Sequence, residues 1–315
     1  MKISGFSFVR NGDKLYYPVK ESIESILPIC DEFVVAVGKG DDDDSTREII
    51  ESINSSKIKI IDTVWEEKYW KKGKINALQT NLAKSYCKGD WCFYVQADEV
   101  VHEKYLDTVA KRCEELQNDE RIEGLLFKYK HFWGDYNHYF RSHAWYPNEI
   151  RVVKNSPDIH SWQSAQSFRW AKTLEDPHQE EGTRKLRVAK VDAEIYHYGW
   201  VRPPHLMRNK MKALNSVHWG KDKANQDYDS KAKLFDFGPL DFADSFKDTH
   251  PKVMEAMIAK FDWADKLQMS GKPSPMRELH KHERFKYRAL DWFEKTFLGG
   301  ELIGGFKNYD LVNDV

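Results

Sequence analysis

No stretch of this 315-residue chain strings together the roughly 20 apolar residues that a bilayer-spanning helix needs, and no signal-peptide pattern opens it. Neither sign of charge prevails, since 49 Lys and Arg meet 50 Asp and Glu for a formal net charge of −1. A nucleic-acid binder ordinarily carries a domain-wide basic excess, so that partner class is set aside. Cysteine is scarce. The four residues Cys30, Cys87, Cys92 and Cys113 lack paired metal-type spacing and fall in or beside helix and strand patterns, which reads as reduced core thiols in a cytoplasmic protein. No internal repeat is present. What is plentiful is aromatic: Phe, Tyr and Trp make up 14%, eleven of them Trp. Aromatic clefts suit the C–H faces of sugars, although large cores use the same rings. The length fits one large α/β domain, alone or with an appended helical subdomain.

The first half alternates strand and helix patterns. Residues 2–9 form a strand candidate closed by Arg10-Asn11-Gly12-Asp13, and Val19, Ile23, Ile26 and Leu27 follow at helical spacing. Phe33 to Val37 reads as a strand buried on both faces, ending in Gly38-Lys39-Gly40 and the acidic run Asp41 to Asp44. Ser45 and Glu48 make a capping-box signature for a helix with Ile49, Ile50 and Ile53. Ile58, Ile60 and Ile61 mark a third strand, Gly73 to Cys87 a helix, and Trp91 to Val95 a fourth strand. Such alternation predicts a mostly parallel sheet with ligands beyond the carboxyl ends of its strands. The loops to watch are therefore Arg10–Asp13, Gly38–Asp44 and Gln96–Val100.

The second half is different. Gly124 to Val153 holds aromatic-rich strand candidates, whereas residues 155–187 show no period and read as a mobile loop or an acceptor-binding segment. Val188 to Tyr198 alternates as a strand. Pro203-Pro204 precedes a helix with Met207, Met211, Leu214 and Val217, and the remainder from about Pro239 reads as helices with a Gly-rich tail.

The most specific stretch is GKINALQTNLAKSYCKGDWCFYVQADEV, residues 73–100. In it a helix bearing Gln79, Asn81 and Ala83 leads through Gly89-Asp90 into a strand and then Asp98-Glu99. Upstream come Asp31-Glu32, an apolar strand, the acidic loop and Ser45-Thr46; downstream stand Glu149-Ile150-Arg151-Val152-Val153 and His197-Tyr198-Gly199. In order and spacing the series resembles the family-2 glycosyltransferases over roughly residues 1–205, while the C-terminal third has no counterpart. The resemblance implies a GT-A fold, α/β with a mostly parallel sheet flanked by helices. It also implies a nucleotide-sugar-binding half at 1–118, an acceptor half with mixed strands at 119–238 and a helical C-terminal extension at 239–315. The implied reaction takes a sugar from a nucleotide-sugar donor, UDP-linked and with inversion, to a saccharide or lipid-linked acceptor.

That chemistry explains the residue types. A departing diphosphate calls for a divalent cation, Mn²⁺ or Mg²⁺, held by oxygen ligands and, for Mn²⁺, by imidazole. Asp98, just past a buried strand, is the candidate carboxylate, its other reading being a solvated turn acid. His197 is the candidate second ligand or else a hydrogen-bonded core histidine. Donor contacts are expected from Arg10, Asn11, Asp41, Lys74, Gln79, Gln96 and Asp98. Gln96 occupies the first position of the family's Asp-x-Asp, where an amide can bond ribose but adds no charge. Ser164-Ala165-Gln166 stands at the comparable place of Val-His-Glu, again with an amide, so the catalytic carboxylate beside Asp98 falls to Glu175, which otherwise reads as a surface loop acid. Trp133, Tyr146 and Trp162 are candidates for an acceptor platform. The basic helix around Arg208 to Lys212 is a candidate face for peripheral membrane contact.

Two other functions fit part of the pattern. A sugar-nucleotide nucleotidyltransferase wants a Gly-rich, Arg/Lys-containing phosphate loop directly after the first strand, and Arg10-Asn11-Gly12-Asp13 is too short for one. A catalytically silent binding module of the same fold would account for the neutral Gln96 and Gln166.

Overall fold

The apolar runs become strands of one 13-stranded sheet in a computed structural model, which describes residues 1–229, 232–299, 302–305 and 307–315. β1 (Ile3–Val9), β2 (Glu32–Gly38), β3 (Ile58–Thr63) and β4 (Trp91–Tyr94) lie parallel in the order β3-β2-β1-β4. Three helices connect them, α1 (Val19–Ile26), α2 (Thr46–Glu51) and α3 (Lys74–Ser85). β2 and β4 carry unbroken apolar runs because both of their faces are covered. The strand order reverses between β1 and β4, and at such a switch point the connecting helices diverge to opposite faces and leave a crevice. The α/β class expected from the sequence is the one observed.

The sheet continues without a break past residue 118. β5 (Glu99–Val101) and α4 (Leu106–Glu115) lead to β6 (Gly124–Trp133), β7 (His138–Phe140) and β8 (Asn148–Lys154), and β8 runs antiparallel between β4 and β6. Residues 155–187 differ from expectation. They form β9 (Ile159–Trp162) and β10 (Ser167–Ala171), an antiparallel pair whose short strands are too brief to show a period. β11 (Thr183–Trp200) is longer than the alternating run suggested and pairs with β6, β10 and β5.

Beyond it stand α5 (Pro204–Trp219), α6 (Lys221–Asp229), the two-residue β12 (Asp244–Ser245), α7 (Glu255–Ala259), α8 (Phe285–Phe297) and β13 (Tyr309–Leu311). The last third is thus only partly helical: 3-10 turns separate its short helices, and β13 joins the start of β11. Residues 300, 301 and 306 of the Gly-rich tail lie outside the described residues.

The expected capping box at Ser45 is not formed, for Ser45 makes no side-chain capping bond. Thr46 works instead: its Oγ1 accepts from Gly12 N–H (2.7 Å) and donates to Asp44 (2.7 Å), tying the loop after β1 to the loop after β2. Gly73 caps α3 with a φ of 71°, a conformation that glycine adopts without steric cost.

Candidate active site

A cavity of about 720 Å³ opens at the carboxyl ends of β1 and β4, the place the strand reversal prepares. Arg10, Asn11, Asp41, Gln96, Asp98 and His197 all line it. Asn11 has a φ of 54°, a left-handed conformation that Asn tolerates, and its Oδ1 accepts from Asp41 N–H at 2.8 Å. Arg10 donates to Lys39 O (2.9 Å) and pairs with Asp41 (3.3 Å), while Lys14 reaches Asp41 (2.9 Å) and Asp43 (2.6 Å). Part of the acidic run is therefore tied to the first loop. The Lys14 hydrogen bond, with lesser help from Asn11 and Arg10, holds the Asp41 carboxyl below the usual range.

Asp98 and His197, 99 residues apart, meet because β5 pairs with β11 in the register His197 to Glu99, and Tyr198 N–H donates to Asp98 O at 2.8 Å. Asp98 Oδ2 lies 3.6 Å from His197 Nε2. Both side chains are buried. Burial alone would raise the Asp98 carboxyl, but His197 and then Lys210 more than reverse it, so it stays ionised.

Behind His197 sits His131, which the sequence reading did not single out. Its Nε2 faces Tyr146 O at 2.7 Å and its Nδ1 faces His197 Nδ1 at 2.9 Å. A carbonyl accepts only, so Nε2 of His131 carries a proton. Burial pushes the His131 ring well below its ordinary value, so it is neutral and its Nδ1 is a lone pair. His197 Nδ1 must then be the donor. His197 Nε2 points at the Asp98 carboxylate: protonated, it makes the ion pair that lowers Asp98, and with that proton displaced by a cation it would offer a lone pair beside the carboxylate.

Gly199 supplies the room. A Cβ there would lie 2.6 Å from both Asp98 Oδ2 and His197 Nε2. This space, bounded by a carboxylate and an imidazole nitrogen that can exchange its proton for a metal, fits a divalent cation. Two protein ligands suit Mg²⁺ or Mn²⁺, which fill their other positions with water and phosphate oxygens. Among the described residues no group of three or more His, Cys, Asp or Glu gathers to hold a metal by protein alone.

Lys210 borders the same gap. Its Nζ donates to Gly199 O (2.6 Å) and lies 3.5 Å from Asp98 Oδ2, under the rings of Tyr17 and Trp200. Burial, then neighbouring Arg202, push its ammonium down to about 7 despite Asp98. The reading of Arg208 to Lys212 as an outward basic face did not anticipate the burial of Lys210. Glu99, next to Asp98 in sequence, is turned away from the gap. It is buried, gripped by Arg151 at 2.8 and 2.7 Å, and accepts from Tyr129 Oη at 2.8 Å.

Several expected residues stand elsewhere. Lys74 pairs with Asp176 at 2.8 Å and Gln79 is packed within α3; neither lines the cavity. Glu175 is an exposed loop acid outside the cavity lining. Of the proposed platform only Tyr146 lines the cavity; Trp133 is core, and Trp162 packs under Arg169 at 3.8 Å. Trp65, Trp70, Trp145 and Trp200 line it instead. Gln96 does reach the cavity, and its amide donates to Ala165 O at 2.9 Å, pinning the loop that carries Ser164 and Gln166. Gln163 and Ala165, on either side of Ser164, hold φ values of 56° and 58°, a conformation that is costly for side chains other than Gly, Asn or Asp. Across from Ser164 Oγ, at 3.4 Å, lies Nε2 of His218, whose ring burial pushes below its ordinary value.

No protein-family profile matches the chain and no curated protein matches it. Among solved structures, S. aureus TarS overlaps at 16% identity and a TM-score of 0.39, covering 72% of this chain and 42% of that one. The 1-349 form of TarS in complex with UDP-GlcNAc gives 16% identity, a TM-score of 0.37 and coverage of 72% and 70%. Glucosyl-3-phosphoglycerate synthase from Mycobacterium tuberculosis, in complex with Mn²⁺, UDP and phosphoglyceric acid, gives 17% identity, a TM-score of 0.28 and coverage of 42% and 43%. At these TM-scores the overlaps carry no weight for the site, which rests on its own residues.

Proposed function

We propose that this chain is a glycosyltransferase that takes a sugar from a nucleotide-sugar donor, UDP-linked, and passes it with inversion to a saccharide or lipid-linked acceptor. What supports this is the facing pair of Asp98 Oδ2 and His197 Nε2 across the space left by Gly199, at the switch point of an α/β sheet. A Mn²⁺ or Mg²⁺ held by those two atoms would act as Lewis acid toward the departing diphosphate. Arg10 and Lys14, and Lys210 when protonated, line the cavity with positive charge that would draw in and orient the anionic donor. Trp145, Tyr146 and Trp200 offer ring faces to an acceptor sugar.

Inversion needs a base for the acceptor hydroxyl. The cavity's carboxylates among the described residues are Asp41, engaged by Arg10 and Lys14, and Asp98, facing His197 and Lys210. His218, neutral and in the cavity wall, takes the role first given to Glu175. Its Nε2 would accept the hydroxyl proton as the acceptor oxygen bonds to the anomeric carbon and the bond to the diphosphate breaks on the opposite face. A catalytically silent module remains the second reading, because Gln96 and Gln166 face the cavity as neutral amides.

The deciding experiment is UDP binding followed by turnover. UDP with Mn²⁺ should raise the melting temperature, by about 2.7 kcal/mol of stabilisation at a hundred times its Kd. His218→Ala should leave that shift intact and slow UDP release from a UDP-sugar by roughly a hundredfold or more. No shift with any nucleoside diphosphate sinks the donor assignment. A shift without turnover in the unaltered protein selects the silent module, and full turnover in His218→Ala removes the base.

A further inference from the structure

We propose that α8 seats this protein on an anionic lipid bilayer. Apolar residues of α8 at positions 285, 289, 292, 293 and 297 fall on one helical face, and that face is turned to solvent. Phe285 is 84% exposed, Trp292 62% and Phe297 61%. Trp292 and Phe293 each contact the ring of Phe297 rather than entering the core. Leu298 and Ile303, also exposed, extend the patch beyond the helix. A monomer in water has no use for such a concentration of large side chains, and patches of this kind mark an interaction surface.

The charges name the partner. From Lys281 to Phe297 the exposed ionisable side chains are Lys281, Arg284, Lys286, Arg288 and Lys295, all cationic. Each acid of the same stretch is turned inward: Glu283 is buried against Arg277, Asp291 pairs with Lys295, and Glu294 is buried against His143. In a chain whose net charge is −1, this segregation leaves the stretch 281–297 with aromatic and basic groups outward and no exposed carboxylate of its own, the exposed Asp241 bordering it beside Arg288 and Trp292. Trp and Phe with flanking Lys and Arg is the chemistry that settles into the headgroup layer of an anionic leaflet.

The helix expected to serve this purpose is not available for it. On α5, Lys210 is buried at the cavity and Arg208 is engaged by the carbonyls of Tyr228 and Ala232. α8 is also well placed. Glu294 accepts from His143 at 2.6 Å, and two residues on, Trp145 and Tyr146 line the cavity. A bilayer under α8 would lie beside the acceptor wall, which makes a lipid-linked acceptor the one in reach; this last link rests on the proposed transferase activity, the docking does not.

Co-sedimentation of the full chain with vesicles of phosphatidylcholine containing about one-third phosphatidylglycerol tests it. The protein should pellet with these vesicles, bind pure phosphatidylcholine far more weakly, and lose affinity as salt rises. Arg284→Ser with Lys286→Ser should weaken binding roughly thirtyfold, at about 1 kcal/mol for each cation. The triple variant Phe285→Ser, Trp292→Ser, Phe297→Ser should abolish it with an unchanged far-UV spectrum and melting temperature. Failure to pellet with anionic vesicles, or equal binding by the triple variant, overturns the proposal. So does a dimer in vesicle-free buffer that the triple variant dissolves, since the face would then belong to a second copy. UDP binding, measured on the same samples, reports separately on the donor site.

Discussion

Adding one methyl group at Gly199 separates space from charge at the candidate cation site. Gly199 has no left-handed backbone, so alanine is conformationally acceptable there and the effect is confined to what its Cβ meets. That atom would stand 2.6 Å from Asp98 Oδ2 and from His197 Nε2, whereas ordinary contact begins at 3.4 Å. Each side chain must retreat by about 0.8 Å, and neither can do so freely, Asp98 being flanked by Lys210 and His197 being bonded to His131. Overpacking of this kind costs about 1–3 kcal/mol of stability. The functional loss is larger in kind: the methyl fills the gap between the two candidate ligands. Calorimetric titration of UDP with and without Mn²⁺ should show the metal-dependent gain in affinity falling at least about tenfold, or ~1.4 kcal/mol, in Gly199→Ala. Asp98→Asn, which keeps the space and removes the charge, should lose the same gain. If Gly199→Ala keeps its full Mn²⁺ dependence, no cation sits between Asp98 and His197, and the account of the site is wrong.

Removing Arg151 by Arg151→Met would leave Glu99 a buried, unpaired charge and should lower stability by about 3–5 kcal/mol in a urea titration. The double variant with Glu99→Gln should recover part of that loss; an additive further loss would show that the two do not act as a pair. Stability should also fall in mild acid. Burial pushes His250 down to about 4 and His282 down to about 3, so the unfolded chain takes up protons near 6.5 that the folded chain refuses. The benefit is complete above pH 6.5 and is lost as the pH falls toward 4 and 3, at up to about 1.4 kcal/mol per unit for each ring. A melting temperature that stays flat between pH 6.5 and 4 would contradict this.

β1, β2 and β4 were legible as apolar runs closed by turn residues and β3 by its three isoleucines, and so was Asp98, four residues past the end of β4. His197 was legible only through the order of motifs. His131 was hidden, because its place beside His197 depends on the parallel register of β6 against β11, and register between strands 66 residues apart leaves no periodic trace. Lys210 misled for a different reason. On α5 it sits among Arg208 and Lys212 and looks like part of a solvated basic face, and only the packing of α5 over the cavity buries it. Glu175, taken from the order of family motifs, and Trp133, taken from its residue type, lie outside the cavity lining, while His218 and Trp200, brought to it by the turn of the chain around α5, belong to no motif.

The pairing at the start of β11 bears on how the protein is made. Leu186 to Val188 are bonded to Tyr309 to Leu311, and Val312 N–H donates to Val188 O at 2.9 Å. A ribosome releases residue 311 more than a hundred residues after it has released His197. The parallel strands β1 to β4 can therefore assemble early during synthesis, but the strand that carries His197 keeps an open edge at its other end until residues 309–312 emerge. Until then that edge is free to pair with another nascent chain, and the late arrival of β13 is what closes it.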